Sequence, residues 1–156
     1  MSTRNHFLLI VNRAENLDGG WIPALEMSRR RLDAGLWGLY ANTPHRKQMA
    51  VGDEMIVYLA GPDDGAQSLV ARATAGQVTA HGKGYLADGD ALTDPPVAVL
   101  EMSGVAWLDQ PVRITAIKDH LGFIPKGTNK WGCVMQRGVK RVSAEDAAKI
   151  LRGAPQ

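Results

Sequence analysis

The chain contains a single cysteine, Cys133, among its 156 residues. An internal disulfide is therefore excluded, and a cysteine-based metal cluster would lack its ligands. So little cysteine is typical of proteins from a reducing compartment. We expect a cytoplasmic protein that uses neither a metal ion nor another cofactor.

Long apolar runs are also missing. The run near the amino terminus covers residues 7–11, far fewer than the roughly 18 apolar residues that a membrane span needs. This region also lacks the pattern of a signal peptide. We therefore expect neither a membrane anchor nor a membrane partner.

The net charge is low as well, at +2, and this value alone argues neither for nor against nucleic-acid binding. The charges are, however, unevenly distributed. Residues 53–101 contain eight acidic residues against two basic ones, whereas residues 113–152 contain nine Lys or Arg against three acidic residues. A basic carboxyl-terminal third suits contact with phosphates, although a solvated basic surface gives the same pattern.

The chain does contain enough apolar sequence for one compact core. Its hydrophobic fraction is 45%, and its 17 glycines indicate many turns. Several segments have the composition or the alternation of β-strands. They are residues 6–12, which we expect to be buried on both faces, residues 54–60, residues 69–78, and residues 97–102 with 105–108. We expect residues 54–60 and 69–78 to pair as a hairpin of adjacent antiparallel strands.

Three segments have helical spacing. Residues 21–33 predict an amphipathic helix that ends at Gly35, with the run Arg29–Arg31 fanned over its exposed side. Residues 111–121 predict a short helix. Ser143 is the expected N-cap of a last helix.

Two stretches lack a regular pattern. Residues 35–44 contain too many glycines for a helix and end on proline, so we expect an irregular segment that presents side chains. Residues 79–96 form a polar loop that is longer than a hairpin needs, which is typical of a functional or mobile loop. Short strands, one crossover helix and two small later helices predict an α+β domain built on a small, strongly curved sheet.

Three stretches, in this order, resemble the EVE domain, a member of the PUA-like group that also includes the YTH domain. The first runs from Gly35 to Arg46 and continues from Met49 to Tyr58. The second is the strand from Leu69 to Val78. The third is a carboxyl-terminal signature, which consists of Phe123-Ile124, Asn129-Lys130-Trp131-Gly132, Arg137-Gly138, Val142-Ser143, Asp146 and Ile150.

The resemblance implies a PUA-like small curved β-barrel with flanking helices, formed by residues 1–156 as a single domain. It also implies a concave pocket that stacks a nucleobase on aromatic walls, since some members of this group recognise modified bases in DNA or RNA. We therefore expect a nucleic-acid-binding module and not an enzyme. Residues 79–101 depart from the family pattern. Because this loop borders the pocket in related folds, the identity of the base stays open.

A base that is read outside a duplex is stacked on flat rings and hydrogen-bonded at its polar edge. Trp37 lies beside Gly38 in the irregular segment, so we expect its ring to line the pocket, with a core tryptophan as the alternative. Asn42 suits the reading of a base edge, or else an Asx turn before Thr43-Pro44. Tyr40 and Tyr85 complete the expected base-binding pocket.

The other tryptophans have simpler expected roles. Trp21 anchors the first helix, Trp107 lies in the core, and Trp131 packs within its glycine-flanked loop. Basic residues near the motifs are the expected contacts to the phosphate backbone, although each one alone is more often an ordinary surface residue. They are Arg46, Lys47, Lys126, Lys130, Arg137, Lys140 and Arg141.

Two other functions stay open at the level of sequence. Some PUA-like relatives hydrolyse modified nucleosides with a lysine, a threonine and a carboxylate, and Thr43, Lys47 and Glu54 offer this set near the expected pocket. An aromatic pocket can also bind a peptide or a small molecule. The dependence of affinity on salt concentration distinguishes nucleic-acid binding from apolar binding, because only nucleic-acid binding weakens steeply as the salt concentration rises.

Overall fold

The computed structural model describes residues 4–41, 43, 47–62, 65–80, 84–124, 135 and 138–152. In chain order the elements are β1 (His6–Val11), β2 (Ala14–Glu15), β3 (Trp21–Ile22), α1 (Ala24–Ala34), β4 (Leu36–Leu39), β5 (Glu54–Leu59), β6 (Ser68–Ala80), β7 (Ala98–Arg113), α2 (Ile114–Ile117), a short 3-10 helix (Lys118–His120), β8 (Val139–Val142) and α3 (Ala144–Arg152).

Six of the strands form one curled half-barrel sheet in the order β4-β7-β6-β5-β1-β8. Strand β1 runs parallel to β5, and the other neighbours are antiparallel. Strands β2 and β3 form a separate two-stranded hairpin. The expected α+β class with a strongly curved sheet is therefore confirmed, as is the antiparallel pairing of β5 with β6.

Strand β1 is buried on both faces, as its continuous apolar sequence predicts. Phe7, Leu9 and Val11 belong to one hydrophobic cluster, and the alternating residues Leu8 and Ile10 belong to a second. Successive side chains of a strand point to opposite faces, so the two clusters lie on the two sides of the sheet. The sheet thus separates two packed layers.

Helix α1 covers the first cluster through Met27 and Leu32. It begins at Ala24, three residues later than predicted, because Trp21 belongs to β3. It ends where predicted: Gly35 adopts a left-handed conformation with φ of 68°, which glycine accepts without steric cost. Trp21 lies outside α1, in β3, and is 53% exposed, so the expected anchoring of α1 by its side chain is wrong.

The two later helices pack on the second cluster. Helix α2 is shorter than the predicted segment 111–121, because the start of that segment belongs to β7. The expected N-cap of α3 is confirmed, since the amide of Asp146 donates to Ser143 Oγ at 3.0 Å. None of the helices in the described ranges is long and apolar enough to cross a membrane.

The stretch 35–44 is more regular than its glycines suggested. Residues Leu36–Leu39 form β4, an edge strand that pairs antiparallel with β7 and places Trp37 opposite Leu100. A glycine inside a strand often marks a site where other groups approach the backbone closely. Gly38 in this edge strand is such a site. The expectation of an irregular segment is thus corrected for these four residues.

Candidate functional site

A cavity of about 500 Å³ opens at the carboxyl end of β1. Its walls come from the end of β1, the β2–β3 hairpin, α1, Tyr40 and residues 92–94. Pockets for small organic ligands commonly enclose about 300–1,000 Å³, so the space is sufficient for a nucleobase. Residues 92–94 belong to the long loop after β6, so this loop borders the cavity.

Trp21 forms one wall of the cavity. Its side chain is 53% exposed although tryptophan is a large apolar residue, and Glu15 is its partner across the hairpin. The Arg13 guanidinium lies 4.1 Å from the centre of the indole ring and also lines the cavity. Trp21, with Arg13 stacked against it, thus gives the cavity a partly exposed aromatic wall.

Trp37 has a different environment from the one expected. It is only 3% exposed and packs within the first hydrophobic cluster, so neither ring face is open to a base. The Arg31 guanidinium lies 4.9 Å from the centre of its ring. The stacking role expected for Trp37 is corrected: the ring is a core residue that supports Arg31, and Trp21 is the tryptophan at the cavity.

A buried ion pair lies beneath the cavity. Arg31 donates from Nε and Nη2 to the two carboxylate oxygens of Asp88, at 2.7 and 3.2 Å. The two side chains are 9% and 7% exposed, so Arg31 does not lie on the exposed side of α1 as expected. Arg31 follows the buried Met27 by four residues, so the helical repeat puts both on the same buried face of α1. A buried guanidinium needs a negatively charged partner, and Asp88 provides it.

Three hydroxyl groups complete the surroundings of Asp88. Tyr40, Tyr85 and Thr93 donate to its carboxylate at 3.3, 3.1 and 3.0 Å. Together with the two bonds from Arg31, Asp88 accepts five hydrogen bonds. Tyr40 and Tyr85, both predicted from the sequence as pocket residues, are thereby held in one network, and Tyr40 also lines the cavity.

The network shifts the pKa values of its members. Burial raises the pKa of Asp88, but the hydrogen bonds and the charge of Arg31 outweigh it, so the pKa lies below its ordinary value. Burial raises the pKa of Tyr40 and of Tyr85; the positive charge of Arg31 opposes this effect and the Asp88 carboxylate adds to it. At neutral pH the two phenols therefore remain protonated donors to an ionised Asp88.

Gly38 allows the two tyrosines to meet. A Cβ atom at this position would lie 3.2 Å from Tyr40 Oη, from Tyr85 Cε2 and from Pro96 Cβ. Each contact is tighter than side chains normally accept, so any other residue would push the rings apart. The glycine that made this stretch look irregular in the sequence thus serves the packing of the network.

The stabilising effect of Asp88 is expected to depend on pH. Because its pKa is lower in the folded protein than its ordinary value of 3.8, the contribution is complete above that value and is lost as the pH falls through the folded pKa. Denaturant unfolding of the protein and of Asp88→Asn, from about pH 6 to about pH 2, should show a stability difference that shrinks below about pH 4. A difference that stays constant over this range would contradict the assignment.

Several predicted contact residues fall outside the described part of the chain: Asn42, Arg46, Lys126, Lys130 and Arg137. Lys47 is described and exposed. Lys140 Nζ lies 5.8 Å from the centre of the Phe123 ring. Arg141 donates to Asn5 Oδ1 at 2.7 Å and pairs with Phe7, at the end of β1 that points away from the cavity.

Two of the three residues considered for hydrolysis have other contacts. The Thr43 hydroxyl accepts the amide of Tyr40 at 2.8 Å. Glu54 pairs with His6 at 2.9 Å and Arg4 at 3.4 Å, at the amino-terminal end of β1. The carboxylate is thus engaged at the opposite end of the strand from the cavity.

Sequence reasoning missed Trp21, Arg13 and Asp88 as site residues. A signal for the first two was present, because Asp18-Gly19-Gly20 is a turn sequence that favours a hairpin in which Trp21 follows the turn. Asp88 offered no comparable signal, since its partner Arg31 lies 57 positions away in the chain.

No family model matches the chain, and no curated protein matches it either. Solved structures that are similar over nearly the whole chain include the following three. Human THYN1 in complex with DNA containing 5-methylcytosine has a TM-score of 0.61 at 10% identity, covering 97% of this chain and 99% of that one. The N-terminal domain of McrB from Staphylothermus marinus has a TM-score of 0.59 at 10% identity, covering 93% and 92%.

The third is the YTH domain of MRB1 from Zygosaccharomyces rouxii in complex with N6-methyladenosine RNA. Its TM-score is 0.53 at 12% identity, covering 96% of this chain and 88% of that one. At such low identities the likeness establishes the fold and nothing finer. The chain has the PUA-like fold that the resemblance to the EVE domain implied.

Proposed function

We propose that this protein is a nucleic-acid-binding module that reads a nucleobase, in particular a chemically modified one, in the cavity beside Trp21. The proposal depends above all on one observation: a half-exposed indole ring forms a wall of an open cavity of about 500 Å³. A large exposed aromatic ring at a concave site is typical of ligand binding.

The chemistry of the wall suits a base. Flipped or single-stranded bases stack on aromatic rings and on arginine guanidinium planes, and Trp21 with Arg13 offers both. Stacking on such a surface recovers part of the cost of removing the base from its neighbours. Tyr40, held by Asp88, places a second ring on the cavity.

The similar structures support the same class of ligand. THYN1 is described in complex with DNA containing 5-methylcytosine, and the YTH domain in complex with N6-methyladenosine RNA. In this chain the modified base would enter the cavity, while basic residues hold the backbone. Strand β8, which carries Lys140, begins beside the cavity, because the amide of Ile10 donates to the carbonyl of Gly138 at 2.9 Å.

We propose binding without catalysis. Thr43 and Glu54, two of the three residues that resemble a hydrolytic set, are engaged in separate contacts. The Asp88 carboxylate is saturated by five donors and is unsuited to act as a general base.

The test is equilibrium binding to matched oligonucleotides that differ only in one central base. Each sequence is used with an unmodified base or with a methylated cytosine, adenine or guanine, single- and double-stranded, at two salt concentrations. We expect preference for one modified base and an affinity that falls as salt rises, because released counterions drive contact with phosphates.

The unmodified oligonucleotide is the matched control. Equal affinity for modified and unmodified strands would mean that the protein binds nucleic acid without recognising the modification. Absence of binding to every strand at both salt concentrations would contradict the proposal and favour a peptide or small-molecule ligand.

A further inference from the structure

We infer that the cavity recognises the Watson–Crick edge of a guanine-type base, with Glu15 and Asp94 as the residues that determine this specificity. The inference rests on the proposed function and adds to it the hydrogen-bonding class of the base. It follows from two cavity carboxylates that accept no hydrogen bond within the described part of the chain.

The hairpin presents two of the relevant side chains on one face. Glu15 and Trp21 are direct cross-strand partners, so their side chains lie side by side. Arg13 lines the same cavity, with its guanidinium 4.1 Å from the centre of the Trp21 ring. The hairpin thus presents a stacking ring beside a carboxylate acceptor.

The hairpin is fixed in place. Asn16 Oδ1 accepts the amides of Asp18 and Gly20 at 3.0 and 2.9 Å, which orders the turn. The amide of Leu92 donates to the carbonyl of Glu15 at 2.7 Å, which ties the hairpin to the loop that carries Asp94. Glu15 and Asp94 therefore border the same cavity from two connected segments.

Within the described ranges, no hydrogen bond or ion pair engages the carboxylate of Glu15 or of Asp94. The two arginines at the cavity, in contrast, are engaged within the protein: Arg31 is held by Asp88, and Arg13 is stacked on Trp21. The carboxylates left for a ligand are acceptors only, so the ligand must offer donors to them. An edge with two adjacent donors meets this requirement best.

Guanine has such an edge. Its N1–H and 2-amino groups are adjacent donors that match the two oxygens of a carboxylate. Adenine and cytosine offer one amino group beside a ring-nitrogen acceptor, which a carboxylate repels. The cavity therefore favours guanine and leaves its other edges open to a modification.

The inference is tested with short single-stranded oligonucleotides that differ only in a central guanine, inosine, adenine or cytosine. Inosine lacks the 2-amino group and is otherwise like guanine. We expect guanine to bind most tightly and inosine about tenfold more weakly, because one hydrogen bond to a charged acceptor is lost. The ratio of the two affinities should fall in Glu15→Gln or in Asp94→Asn.

Asp90→Asn is the matched control, because Asp90 lies in the same loop, is 49% exposed and pairs with Arg30 outside the cavity. It should leave the ratio unchanged. The inference would be overturned, with base binding intact, if adenine or cytosine bound as tightly as guanine. It would also be overturned if Glu15→Gln and Asp94→Asn both kept the ratio of guanine to inosine affinity that the unchanged protein shows. If no strand binds at all, the proposed function itself fails.

Discussion

Replacing Trp21 with alanine is expected to weaken binding of the recognised oligonucleotide by about 5- to 140-fold, since stacking on an aromatic side chain contributes about 1–3 kcal/mol per base. The variant loses the ring and also the platform on which Arg13 is stacked. Folding should be little affected, because the side chain is 53% exposed. Titration of a labelled oligonucleotide measures the change, and Trp21→Phe should restore part of the affinity.

Trp107→Ala is the matched control for this experiment. Trp107, expected in the core, is in fact 40% exposed and lines a separate cavity of about 610 Å³ near the end of α3. Removing it deletes the same side chain from another part of the surface and should leave base binding unchanged. An unaltered affinity in a folded Trp21→Ala variant, or an equal loss in both variants, would refute the assignment of the cavity.

Asp88→Asn is expected to lower the free energy of unfolding by about 3–5 kcal/mol, because it leaves the buried Arg31 charge without its partner. The asparagine has about the same size, so the loss arises from charge and hydrogen bonding and not from a cavity. Arg31 donates twice to Asp88, and Tyr40 loses its ionised acceptor at the same time. Denaturant unfolding at neutral pH measures the difference.

The surface pair of Arg30 with Asp90 provides the comparison. Its atoms lie 2.8 Å apart, but the two side chains are 26% and 49% exposed. Exposed pairs contribute at most about 1 kcal/mol, so Asp90→Asn should change stability much less than Asp88→Asn. Similar losses in both variants would mean that the Asp88 network does not stabilise the fold in the way its burial indicates.

The sequence by itself determined the elements that depend on local chemistry. The continuous apolar run of β1 required burial on both faces, and the β-rich run of β5 followed by the alternation in β6 predicted their pairing. Gly35 and Ser143 marked helix ends because left-handed backbone and N-capping need those residue types. The ordered motifs were sufficient to predict the PUA-like fold, and the need for flat rings predicted Tyr40 and Tyr85 as pocket residues.

Only the tertiary structure decided which tryptophan is accessible and which charges are buried. Trp21 and Trp37 both stand beside glycine in the sequence, but one lies in a hairpin at a cavity and the other in an edge strand covered by α1. Arg31 looked like its exposed neighbours because its partner Asp88 comes 57 residues later. Burial and ion pairing between distant segments are properties of the packed chain, and local sequence patterns do not encode them.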